Sequence, residues 1–533
     1  MEDRLELSRG VVALLVGGVV VLGLIVVIAT SSGGGDKEAK LSDEEQSEFD
    51  RFIDHTIVDL TFSQSPVRKP PASLLEALVT ELIPNYAMRL DDVKAGTSEE
   101  DAKRMVDVER RAVLSDRLKH VLDQGTVSTL AGVLKRALLL QIHGGGSEYV
   151  DALDSAVIAF NNRMIGAGHR FVIHSYVNSR GTVWLLGYAV DQVATYSAGA
   201  HAVKAIRARR LDRLNFHATA QGFASPTREL AWVRTSTVEE TLVSTVLPQL
   251  GADKRPYYDM DERFDTKKPW FKTANERAAR LFRRDYAELM VDPAAAKRLG
   301  ELLALRIEVL SRWHDLRAGF KRTAERMVRT LSLSRRFKNV LRGFPRADLL
   351  ELMSIESELA GERMRKAFKA AMEIAMRTVE HHEVQHRLDY LRGEIKYPAE
   401  LVPLVGALEA EDGTIRRFPR SVNMELSAML SELARAGSRA ASELSFQMMY
   451  LIKPGLWRSQ YSKGISVIID ALATDLSVKG GPIRFKGALR RERAVKLFVG
   501  LTNKKGDELA AAAKRVWERL YAAPLLSLKR SVQ

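Results

Sequence analysis

Glu380-His381-His382-Glu383-Val384-Gln385-His386-Arg387-Leu388-Asp389-Tyr390 is the stretch on which the reading of this chain turns. Within it His382, Glu383 and His386 form a His-Glu-x-x-His motif. Two histidines four residues apart stack on one face of an α-helix, so both imidazoles can bind one ion. Glu383 sits about 100° around the same helix, close to where water would meet that ion. Zinc lowers the pKa of such a water towards ~7, and Glu383 can take its proton as the water attacks a carbonyl.

The flanking residues place the motif on a long helix from roughly Leu349 to Arg392. Met364, Phe368, Ala371, Ala375, Val379, His382, His386 and Asp389 follow one another at spacings of three or four, so the histidines continue a buried stripe. Lys366, Arg377 and Arg387 are expected to leave that stripe for water, and Gly393 gives a stop. A catalytic zinc needs a third protein ligand and an open fourth position. Glu425, on a predicted helix from Ser421 to Gly437, is the expected ligand, with thirty-eight residues separating it from His386. Glu432 lies seven residues on, on nearly the same face, and is the alternative, with Glu394, Glu409 and Glu411 also open. Asp389 could hold the outer nitrogen of a ligand imidazole, while His381, facing elsewhere, is read as a neighbour rather than a ligand.

The pairing of His382-Glu383-x-x-His386 with a later helix bearing Glu425-Leu426-Ser427-Ala428 resembles the gluzincin class of zinc metallopeptidases. That resemblance covers the two helices alone, and no specific family is recognised elsewhere. It implies a zincin-like helical catalytic domain with Zn2+ on His382, His386 and Glu425 and with Glu383 as general base. It further implies an oxyanion-stabilising tyrosine or histidine, for which Tyr461 is the candidate beside Tyr450 and Tyr390. Such sites usually have an edge strand that aligns substrate, and no strong strand precedes the motif helix.

Composition frames these expectations. With 533 residues and 46% hydrophobic content, the chain can bury more than one core. Lysine and arginine outnumber acids 81 to 67, but the charges are mixed along helical segments without interleaved aromatics, so no nucleic-acid partner is expected. The absence of cysteine excludes disulfides, thiolate metal sites and cysteine nucleophiles. Val11 to Thr30 is a 20-residue apolar stretch without charge, long enough to cross a bilayer, and is read as an uncleaved anchor rather than a signal peptide. Arg4 and Arg9 before it nearly balance Lys37 and Lys40 after it, and a short tail usually stays inside, so a periplasmic or otherwise extracytoplasmic body is expected.

Beyond a polar spacer with Ser31-Ser32-Gly33-Gly34-Gly35, amphipathic helices are expected at Ser73–Leu82, Val127–Ile142 and Tyr149–Met164. His143-Gly144-Gly145-Gly146-Ser147 lacks a nucleophile elbow and reads as a turn. Arg170–Val177 and Thr182–Val190 read as a hairpin, and helices are expected at Arg228–Leu250, Ala274–Val291 and Pro293–Leu333. The basic clusters Arg207–Arg213 and Arg335–Lys338 read as solvated helix faces.

The expectation is therefore a mainly α chain with a small α+β module and a single N-terminal transmembrane helix. Its parts are a cytoplasmic tail (1–10), the anchor (11–30), a linker (31–71), the α+β module (72–250), a helical connection (251–345) and a zinc peptidase-like helical domain (346–533). The partners expected are a peptide or protein substrate and the bilayer. Two rivals stand beside the peptidase: an envelope scaffold with a metal-free motif, and a zinc amidase acting on cell-wall peptides.

Overall fold

The computed structural model describes residues 73–177, 182–211, 222–223, 230–251, 268–289, 291–314, 346–393, 395–453, 456, 458–485 and 488–532, together with Ser47. The stretch 11–30, the spacer after it, the cluster 335–338 and Glu394 lie outside these residues. Among the described residues no helix is long and apolar enough to cross a membrane. The described residues are mainly helical with a small mixed sheet, and the chain divides into two compact units. One includes Val238–Leu526, and the other includes the described residues 73–237 with the last residues from Ser527.

In the sheet-bearing unit, α1 (Ile83–Leu90), α2 (Gln124–Ile142) and α3 (Ser147–Gly166) enclose a core that includes Tyr86, Leu130, Leu134 and Phe160. The Asp123 side chain caps α2 by accepting from the Thr126 amide at 2.9 Å, satisfying a donor that a helix start leaves open. The expected hairpin is present as β1 (Phe171–Val177) antiparallel to β2 (Val183–Ala198), with Phe171 opposite Ala189 and Val177 opposite Val183. β2 runs further than expected and pairs along its second half with β8 (Lys529–Val532). On its other side lie β3 (His201–Arg210), then β5 (Leu230–Arg234), parallel to β3, and β4 (Gly222–Phe223). Gly187 in β2 has no room for a side chain, because a Cβ there would overlap the Val79 carbonyl.

Two expectations fail in this unit. Arg228–Leu250 is not one helix: Leu230–Arg234 is a strand whose residues are all buried, followed by short helical pieces at Thr235–Thr241, Leu242–Val246 and Pro248–Gly251. A short, fully buried strand has no period-2 polar face to separate it from a helix. The basic cluster at Arg207 is likewise no solvated helix face, since Arg207 to Arg210 close β3 and Arg207 is buried.

The helical unit holds α4 (Pro269–Leu289), α5 (Pro293–His314), α6 (Arg346–Leu359), α7 (Glu362–Leu391), α8 (Arg417–Arg435), α9 (Ala440–Gln447), α10 (Gln460–Asp475), α11 (Arg491–Thr502) and α12 (Gly506–Tyr521). A two-residue hairpin, β6 (Arg484–Phe485) with β7 (Ala488–Leu489), follows α10. Phe271, Ala274, Ala278 and Leu281 of α4 share one core with residues of α8, α10, α11 and α12. The expected helix 349–392 breaks at Ala360-Gly361, where Gly361 caps the start of α7.

α8 is the central element, packed by α7, α10 and α12, and its residues Val422 to Ser431 are all buried. From α12, the Trp517 indole donates to Ser427 Oγ at 3.1 Å and the Tyr521 hydroxyl to the Asn423 carbonyl at 3.1 Å. α7 begins amphipathic, burying Met364, Phe368, Ala371, Met372 and Met376, while Ala375 and Val379 are only half-buried. It then runs into the interior, and Glu383 to Asp389 are all buried. Arg387 is thus not a solvated residue as expected: it is only 6% exposed. Gly393, with φ +80°, stops the helix where the sequence suggested.

Candidate metal centre

The buried end of α7 lies against α8, and together they bring three ligand-type atoms to one point. His382 Nε2 and His386 Nε2 are 3.0 Å apart. Glu425 Oε2 is 3.3 Å from the first and 3.9 Å from the second. A tetrahedral zinc with bonds of ~2.0–2.1 Å requires ligand–ligand edges of roughly 3.3–3.4 Å, and the three observed edges bracket that length. The donor set also suits zinc, with two imidazoles and one carboxylate in a chain that has no thiols.

The outer sides of His382 and Glu425 are held. His382 Nδ1 is 3.1 Å from Glu432 Oε1, so a proton on Nδ1 leaves the Nε2 lone pair facing inward. Gln447 donates to Glu432 Oε2 and to the Met429 carbonyl, both at 3.1 Å, fixing that carboxylate from α9. Gln460, at the start of α10, donates to Glu425 Oε1 at 3.1 Å and accepts from Ser421 Oγ at 2.8 Å. Glu425 therefore turns its other oxygen to the histidines. Glu432, the alternative ligand, is placed behind His382 instead.

The charges reinforce one another. Burial pulls the His382 imidazolium down, but Glu432 and Glu425 outweigh it and hold its pKa well above the ordinary histidine value. Burial and the neighbouring His382 charge push His386 down to about 4. Glu425 stays below the usual glutamate range despite its burial, because both histidines and Gln460 favour its ionised form. Glu443 of α9, pushed up to about 8 by burial and by the Glu432 charge, is a further acid beside the group.

Glu383 is buried next to the two histidines on α7. The Tyr461 hydroxyl is raised well above the usual tyrosine value by the Glu425 carboxylate first, then by burial, Tyr450 and Glu383, so it lies in the field of both acids. Tyr461 stacks on Tyr450 with centroids 4.6 Å apart. The Arg387 guanidinium lies 6.0 Å from the Tyr390 ring.

Other sequence candidates fall elsewhere. Asp389 does not hold a ligand imidazole: its Oδ1 accepts from Gln385 Nε2 at 2.7 Å, and Gln385 Oε1 accepts from Arg435 at 2.8 Å. Burial lifts Asp389 to about 7. His381 is not in the ligand group, and burial takes it down to about 4. Glu409 and Glu411 are exposed. Sequence reasoning missed Gln447, Gln460 and Glu443; only the four-residue spacing of Glu443 and Gln447 on α9 marks two of them as sharing a face.

No protein-family model matches the chain, nor does any curated protein or solved structure.

Proposed function

We propose that the chain is a membrane-anchored zinc-dependent metallopeptidase of the gluzincin type, with an extracytoplasmic body. The observation that carries this reading is the convergence of His382 Nε2, His386 Nε2 and Glu425 Oε2, with Glu383 on the same turn of helix. Those three side chains would hold the ion, while Glu432 and Gln460 fix how His382 and Glu425 present their atoms. Zinc bound there would supply a Lewis-acid charge that lowers the pKa of a water to ~7. Glu383 takes the water's proton as the peptide carbonyl is attacked and returns it to the leaving amine. Tyr461 donates its hydroxyl to the carbonyl oxygen as negative charge develops there. The anchor is read from the apolar stretch Val11–Thr30.

Metal analysis and peptide digestion test the proposal together. Purified protein should carry one zinc that His382→Ala and His386→Ala each abolish. Glu383→Gln should keep the zinc and lose hydrolysis. Protein that holds no zinc and cleaves no peptide, with Glu383→Gln behaving as wild type, overturns it.

A further inference from the structure

Two rows of bonds join α7 to α8, and the metal group accounts for one of them. That row is the face of His382 and His386 set against Glu425 and Glu432. The second row lies to one side. Gln385, only 1% exposed, falls between Glu383 and His386 in the chain, and its direction from the helix axis is roughly 60–100° away from those of the two histidines. Its Oε1 accepts from Arg435 Nη2, in the last turn of α8, at 2.8 Å. Its Nε2 donates to Asp389 Oδ1 at 2.7 Å, so Asp389 settles which end of the amide faces Arg435.

Arg435 is itself held from a third element. The same Nη2 donates to the Leu526 carbonyl at 3.1 Å. α12 ends at Ala522, whose left-handed φ of 51° turns the chain, and Pro524 and Leu526 follow that turn. Arg392, the residue after α7, donates to the Pro524 carbonyl at 3.2 Å, and its guanidinium lies 5.8 Å from the Trp517 ring of α12. The segment leaving α12 thus offers carbonyl acceptors to the C-terminal ends of both helices that carry the metal group.

A second row of bonds matters because it resists roll. A helix held along one line of contacts can turn about that line, whereas a metal site tolerates errors of only about 0.5 Å and 10–20°. Glu425 and Arg435 share α8, and Gln385 and His386 are neighbours on α7, so the Arg435–Gln385 bond sets the angle at which the imidazoles meet the carboxylate. We propose that Arg435 is a positioning residue of the metal centre, acting through Gln385 to hold His382 and His386 at the angle that Glu425 requires. This role rests on zinc binding by those three residues and not on which bond is hydrolysed.

Zinc affinity of the full-length protein, measured by chelator competition, tests the role. Arg435→Met and Gln385→Leu should each weaken zinc binding about tenfold, and the double variant should be no weaker than either alone, because both changes cut one bond. Arg392→Met, which loosens the segment after α12 at Pro524 rather than at Gln385, should stay within about twofold of the wild type. Losses that multiply to about a hundredfold in the double variant, or an Arg392→Met loss equal to that of Arg435→Met, overturn the positioning role and make Arg435 a general support of the fold. Should Arg435→Met fail to fold, Gln385→Leu set against Arg392→Met decides by itself. A wild type that takes up no zinc overturns the metal centre and this role together, whereas zinc uptake that neither Arg435→Met nor Gln385→Leu weakens overturns the role alone.

Discussion

Two groups of buried charge in the helical unit are built to opposite ends. Arg306 of α5 and Glu356 of α6 close on each other, with Nε and Oε1 2.5 Å apart and both side chains withdrawn from water. Burial pushes Glu356 upward while the Arg306 guanidinium beside it holds it down. His382, His386 and Glu425 instead aim three atoms at a common point, with Glu432, itself held by Gln447, behind His382 and with Gln460 behind Glu425. A closed pair neutralises itself, whereas a convergent triad is completed by a cation. Convergence, rather than buried charge alone, is what singles out a functional group.

The largest expected effect falls on Glu383 beside the triad and spares the pair. Glu383→Gln should lower kcat by about 10²–10⁴-fold, with zinc content and melting temperature unchanged. A variant that loses its zinc or its fold along with its activity would show that Glu383 supports the site rather than reacts. Next comes the pair. Glu356→Ala removes the carboxylate bonded to the buried Arg306 guanidinium and should cost about 3–5 kcal/mol in a denaturant titration. Arg306→Met combined with Glu356→Leu should recover most of that loss, because replacing both charges removes the burial cost as well as the attraction. Neither change should alter zinc stoichiometry; loss of zinc in the double variant would undo the separation drawn between the groups.

A smaller effect belongs behind the ligands. Glu432→Gln keeps the shape but weakens the grip on His382 Nδ1, and it should reduce zinc affinity by roughly 10–100-fold in a chelator competition. An unchanged affinity would mean that Glu432 merely packs there. If Glu432→Gln instead abolished zinc as completely as Glu425→Gln, the two carboxylates would have to exchange roles.

The sequence made the two helices of the candidate site legible for a physical reason. The four-residue spacing of His382 and His386 is local geometry, and Glu425 sits in a helix whose residues Val422 to Ser431 are buried, so its carboxylate has little choice of direction. α3 was readable from periodicity within a few residues at each end, and the hairpin from its β-branched content, although β2 runs on past Val190 to Ala198. β5 was not, because Leu230–Arg234 is buried throughout and shows no alternation. Arg387 was misplaced because a charged residue reads as solvated, and its burial depends on what packs around the inner end of α7. Gln447 and Gln460 were invisible because their role comes from α9 and α10 folding back on α8, a long-range fact that no local spacing encodes.

Asp470 offers the gentlest test of the comparison, since it is a lone acid with neither a close ion pair nor a convergent set. Its carboxylate accepts from the Ile483 amide at 3.0 Å, yet burial still lifts its pKa to about 6, above the ordinary value of ~3.9. A carboxyl whose folded pKa is raised binds its proton more tightly in the native state. Its contribution to stability is therefore complete below about pH 4 and is lost as the pH rises through about 6. Asp470→Asn removes that titration, so the wild type should lose stability relative to the variant between those limits. Partial exposure keeps the difference to under about 1 kcal/mol. Urea midpoints of the two proteins at pH 4 and pH 7 would measure it. Parallel curves would show that the Ile483 amide and the nearby Arg484 compensate the burial fully, placing Asp470 with the self-neutralising pair.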